Sequence, residues 1–111
     1  MLPENITAVV ARNERWTGDA ASEPYEAGWA REAVVFVRAL KQPVGPPPSA
    51  WIEMSPDGMH WLREGTEFQM PDEKDAIAVA RLTRFGNWLR VATQFEQGAE
   101  CTVLVTIHLK A

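Results

Sequence analysis

The sequence predicts an all-β fold: one antiparallel β-sandwich of jelly-roll or related type over residues 1–111, with a partly open barrel as the alternative. Three observations carry this. The final stretch alternates strictly, with Cys101, Val103, Val105, Ile107 and Leu109 on one face. A period of two gathers those residues on one side only in a strand. The run Ala33–Leu40 (AVVFVRAL) is short and valine-rich, which favours a strand over a buried helix. Turn residues recur between short apolar runs, at Ser55–Gly58 and at Gly86–Asn87, the punctuation of an antiparallel sandwich.

In chain order, Ile6–Ala11 suits a strand at a sheet edge, and Thr17–Gly28 (TGDAASEPYEAG) suits a loop. Ala33–Leu40 is apolar on both faces apart from Arg38, the pattern of a central strand. Lys41–Ser49 (KQPVGPPPS) cannot be an inner strand, because Pro46, Pro47 and Pro48 have no N–H to donate. It is an extended connection.

A hairpin follows. Pro56, Asp57 and Gly58 fit a type I turn with Gly58 left-handed. That turn pairs Ser55 with Met59, Met54 with His60, Glu53 with Trp61, Ile52 with Leu62 and Trp51 with Arg63. One face then carries Ile52, Met54 and Leu62, the other Trp51, Glu53, Trp61 and Arg63. A one-residue slip exchanges the two faces.

Gln69–Asp75 reads as an acidic surface turn. Residues 77–95 read as a second hairpin about Gly86–Asn87, although KDAIAVARL within 74–84 also suits a helix. As a hairpin, it puts Ala80, Leu82, Leu89, Val91 and Phe95 inward. Arg81, Thr83 and Arg90 face outward, with Trp88 near the tip.

The chain has 111 residues, 46% apolar and 23% charged, the composition of an ordinary globular domain that can bury a core. A net charge of −4 argues against a nucleic-acid footprint. A single cysteine excludes an intramolecular disulfide. The start MLPENITAVV lacks the basic region of a signal peptide, and no apolar stretch reaches membrane-span length. A cytoplasmic protein without membrane contact is the default expectation.

AWIEMSPDGMHWLREG resembles the strand–turn–strand unit of galactose-binding-like sandwiches, the discoidin and carbohydrate-binding type, and NWLRVATQF is similar to that family's later strands. The resemblance implies a sandwich and a carbohydrate-binding module. The family's calcium and sugar residues lie in loops without a match here, so it implies no site residue. The turn is also similar to the Asp-box of sialidase-like propellers, at a different spacing and without a repeat. Small phage-type structural proteins use such hairpins too.

Catalysis needs a nucleophile, a base and an orienting group held together. His60 reads as a hairpin residue at the core margin, His108 as a strand residue beside Thr106, and Cys101 as a small core hydrophobe. Asp72, Glu73 and Asp75 lack the glycine of a calcium loop, and one cysteine with two distant histidines makes no zinc motif. No enzyme, metal or cofactor is expected.

The tryptophans stand out. Trp51, Trp61 and Trp88 fall on faces that also hold Arg63, Arg81 and Arg90. Such a face can be a cation–π cover for the sheet or a binding platform for a glycan or a protein, a second copy included. These six residues are the candidate surface of a non-catalytic binding or assembly module, acting through a sheet face or as a homo-oligomer.

Overall fold

The computed structural model describes residues 5–111. Nine strands are present among the described residues: β1 (Asn5–Trp16), β2 (Asp19–Ala21), β3 (Tyr25–Glu26), β4 (Glu32–Ala39), β5 (Ser49–Ser55), β6 (Leu62–Gln69), β7 (Ile77–Thr83), β8 (Trp88–Gln94) and β9 (Cys101–Lys110). There is no helix among the described residues. The first sheet runs β1-β9-β4-β7. The second runs β2-β8-β5-β6, with β3 sharing the β8 edge. The chain crosses between sheets at every connection except β2–β3 and β5–β6. This is the two-sheet path of a jelly roll.

Alternation explains the core. Val35 and Val37 of β4 and Val103, Val105, Ile107 and Leu109 of β9 are buried, and from the second sheet Ile52, Leu89 and Val91 join the same cluster. Cys101 is buried on the inner face of β9, as its odd position predicts. β1 forms at a sheet edge, as expected, and Val44 of the proline-rich connection bridges to Glu100. Thr17–Gly28 is not all loop: β2 and β3 lie within it, because β8 offers them an open edge.

The second hairpin does not form. β7 pairs with β4 in the first sheet, whereas β8 pairs with β5 in the second. A tight two-residue hairpin needs positive φ at the first loop residue or at both. Neither Gly86 nor Asn87 has it, and the left-handed residue is Arg84, at φ 57°. The strand therefore leaves one sheet and enters the other. Inward and outward positions survive, since Ala80, Leu82, Leu89 and Val91 are all buried. Both sheets turn their inner faces to one core, so alternation reads the side of the core and not the partner. The helical reading of 74–84 fails with Ile77–Thr83 in the ladder.

The first hairpin forms with a longer loop. Met54 pairs with Leu62 and Glu53 with Arg63, so residues 55–61 make the turn. Gly58 is left-handed at φ 80°, as expected. The shift is two residues, so no side chain changes face. A bulge then intervenes at Gly65 (φ 116°), and Trp51 meets Glu67 rather than Arg63. Leu62 lies on the inward parity but at the sheet edge, and is 62% exposed.

Candidate interaction surfaces

The outer face of the second sheet carries a ladder of aromatic and charged groups. The register places Glu53 between Arg90 of β8 and Arg63 of β6. Arg90 donates to Glu53 Oε1 at 2.7 Å, and its guanidinium stacks on Trp61, 4.1 Å from the ring centroid. Trp51 Nε1 donates to Glu53 Oε2 at 2.9 Å. Arg63 lies over Trp51 at 3.9 Å and donates to Glu67 at 3.2 Å. The chain Trp61–Arg90–Glu53–Trp51–Arg63–Glu67 is thus continuous. Each guanidinium takes a carboxylate on its edge and an indole on its face, which suits its planar fork.

Four of the six nominated residues, Trp51, Trp61, Arg63 and Arg90, therefore meet. Trp88 lies on the same face but packs against the 55–61 loop, where a Cβ on Gly58 would sit 3.4 Å from its ring. Arg81 is elsewhere. It lies on β7, on the outer face of the opposite sheet. Its grouping with Arg90 rested on the hairpin that does not form. Glu53, which sequence reading placed on this face without a role, joins the two halves of the ladder.

Beside the ladder lies a groove of about 240 Å³, lined by Trp51, Glu53, Arg90 and Ala92 and by Asp19–Ala21 of β2. A more apolar cleft of about 310 Å³ lies where Met54, Pro56 and Leu62 face Gly86 and Asn87.

The 55–61 loop gathers Ser55, Asp57 and His60. Asp57 Oδ1 accepts from the N–H of Met59 (2.8 Å) and of His60 (2.9 Å), and Oδ2 is 2.6 Å from His60 Nδ1. Those backbone donors, His60 first and Met59 second, with the imidazole after them, hold the Asp57 carboxyl far below the usual carboxylate range. Ser55 Oγ is directed at Asp57 Oδ1 and accepts from the N–H of Asp57 and Gly58. The hydroxyl thus serves the turn, and no hydrogen bond links it to the imidazole. His60 is exposed, not at the core margin as its position in a short hairpin predicts.

The outer face of the first sheet is different in kind. One row across it reads Val9, Thr106, Phe36 and Val79, and the next Thr7, His108, Val34 and Arg81. A third holds Leu104, Arg38 and Ile77. Phe36 meets His108 edge to face, centroids 5.0 Å apart. Ile77, Val79 and Val9 are exposed. The rows cover on the order of 400 Å² from strand spacing and rise. Sequence reading missed this surface. Its signal was present in Val34 and Phe36, which make β4 apolar on both faces although the fold covers only one.

No family model matches the chain, and no curated protein matches it. Among solved structures, the fold is similar to the crystal structure of the SPBc2 prophage-derived protein YomS. The TM-score is 0.64 at 9% identity, over 100% of this chain and 96% of that one. A second similarity, to the structure of infectious bursal disease virus Gx strain, has a TM-score of 0.46 at 10% identity, over 97% of this chain and 32% of that one. At 9% identity, the likeness to YomS is one of fold.

Proposed function

We propose that this protein is a non-catalytic assembly module, a small structural subunit that associates with further copies of itself through the first sheet. The observation that carries the reading is the uncovered apolar outer face of β1-β9-β4-β7, with Val9, Phe36, Val79, Ile77, Val34 and Leu104 in adjoining rows. The three rows together span on the order of 400 Å², and adjoining exposed apolar side chains within such a face mark an interaction site. Charged groups are interspersed with it, Arg38 between Leu104 and Ile77 and Arg81 beside Val34, and Glu32 and Lys110 lie at one end. A non-obligate protein interface mixes apolar and polar groups in this way. Jelly-roll folds serve many roles, so the surface and not the fold supports this reading.

Sedimentation velocity over a concentration series tests it. Wild-type protein should self-associate, and Phe36→Lys should weaken that association without changing its circular dichroism. A wild-type chain that stays monomeric at every concentration would overturn the proposal.

A second reading, a carbohydrate-binding module, draws on the groove beside Trp51. Arg63 covers that ring from the β6 side, and the groove opens on the β8 side over Ala92, with Glu53, Arg90 and Asp19 at its rim. An aromatic wall with polar groups at its edge suits a sugar ring. A glycan array decides between the readings: binding that Trp51→Ala abolishes favours this one, and an empty array beside self-association favours the first.

A further inference from the structure

The jelly roll has four sheet edges, and they are not alike. β1 is interrupted by two register shifts. β2 has three residues. β6 carries the Gly65 bulge, the charges Arg63, Glu64 and Glu67, and a backbone N–H at Thr66 taken by Glu64. Bulges, brevity and charge are the ordinary protections of an edge against pairing with another chain. β7 has none of the first two: Ile77–Thr83 is seven residues long with an unbroken register to β4, no proline and one charge, Arg81.

Its free side pairs with no strand, and β6 of the second sheet approaches it at the corner of the sandwich. Among the described residues β4 is the one strand paired with β7, and no loop or side-chain hydrogen bond to the backbone of 77–83 is present. The bond from Ala39 N–H to the Ala76 carbonyl fixes the phase of the ladder. Alternation then directs Ala78, Ala80 and Leu82 at β4. The N–H and C=O of Ile77, Val79, Arg81 and Thr83 point away from the sheet. The side chains beside this edge report the same gap. On the outer face Phe36, Val34 and Leu104 are half-buried between neighbouring strands, while Ile77 and Val79 are 58% and 37% exposed for want of a strand on one side.

We propose that β7 pairs antiparallel with β7 of a second copy about a two-fold axis, joining two four-stranded sheets into one of eight. The proposal rests on the self-association argued above and names its first contact, at the edge of the sheet, which sets two outer faces side by side for further copies to cover. The occupant follows from self-complementarity. Overlap is greatest when the axis passes through Ala80, the midpoint of the strand. That register sets Val79 opposite the second copy's Arg81 and Ile77 opposite its Thr83. No arginine faces itself, and the aliphatic stem of each Arg81 covers a valine. The outward groups supply about eight inter-chain hydrogen bonds in this register. The two outer faces become one continuous surface of on the order of 800 Å², and an isologous contact of this kind closes on itself.

Two substitutions and a cross-link test it. Val79→Pro deletes an N–H that points away from β4 and blocks strand addition. Val79→Lys places a charge on the same edge. Both should sediment as monomers where wild type sediments as a dimer, with circular dichroism unchanged. In a Cys101→Ala background, Val79→Cys should be joined into dimers by a short bismaleimide within minutes, and Val9→Cys, on the opposite edge, should not. If wild type associates but both variants still do, and Val79→Cys gives no cross-linked dimer, the edge contact is wrong while self-association stands. A monomeric wild type overturns both.

Discussion

Arg90→Ala is the substitution that best tests the ladder on the second sheet. Read from sequence, Arg90 is an exposed outward arginine whose loss costs less than about 1 kcal/mol. The structure raises that figure. The guanidinium binds Glu53 at 2.7 Å, with side-chain exposures of 28% and 16%, and stacks on Trp61. A charge-assisted hydrogen bond contributes about 1.5–3 kcal/mol, and partial exposure puts this one at the lower end. A cation–π contact adds about 0.5–1 kcal/mol. Removing Arg90 also leaves Glu53 half-buried with only Trp51 Nε1 as a partner. The expected cost is about 2–3 kcal/mol, near that of Leu89→Ala in the core, where truncation costs about 2–5 kcal/mol. Urea denaturation measures both, and thermal unfolding should show Arg90→Ala melting roughly 8–12 °C lower. A double-mutant cycle with Glu53→Ala should return a coupling of about 1 kcal/mol or more. An Arg90→Ala loss under about 0.5 kcal/mol with no coupling to Glu53 would mean that the ladder is surface decoration.

Arg81→Ala should cost less than about 0.5 kcal/mol, as surface changes do. Combined with Arg90→Ala it should be additive in urea denaturation, because the two lie on opposite outer faces, two sheets apart; strong coupling would restore the hairpin. Asp57 is held ionised in the fold far below its ordinary range by the N–H of His60, then that of Met59. Its contribution is therefore present at neutral pH and is lost as pH falls below about 4, through the ordinary carboxylate range toward the depressed value. Asp57→Asn should flatten the acid limb of the melting temperature against pH, and an unchanged limb would contradict the pinned carboxylate. Burial raises the Cys101 thiol above its usual range. A thiol reagent should label it slowly in the native protein and rapidly in denaturant; fast native labelling would place the inner face of β9 at the surface.

The outward cluster was legible because faces are local. Trp51, Glu53 and Arg63 share a face at any even shift of register, so a loop longer than expected left them together. Arg81 was misplaced because its grouping needed a strand partner, and partnership is not local. The apolar outer face of the first sheet was written in β4 and misread, since an apolar run on both faces ordinarily means a strand covered on both sides.

The sequence by itself determined the all-β class, most strand positions, the inward set Ala80, Leu82, Leu89, Val91, Cys101, Val103, Val105, Ile107 and Leu109, and the left-handed Gly58. Each follows from side-chain alternation or from the backbone freedom of one residue, which neighbouring positions fix. Only the tertiary structure decided that β7 and β8 belong to different sheets, that Glu53 joins two tryptophans and two arginines, and that β7 is the unguarded edge. Those depend on which distant strand lies alongside. Alternating strands satisfy the same buried core from either sheet, so hydrophobic patterning leaves the choice open. Arg84 at φ 57° and the closing of two inner faces over one core settle it.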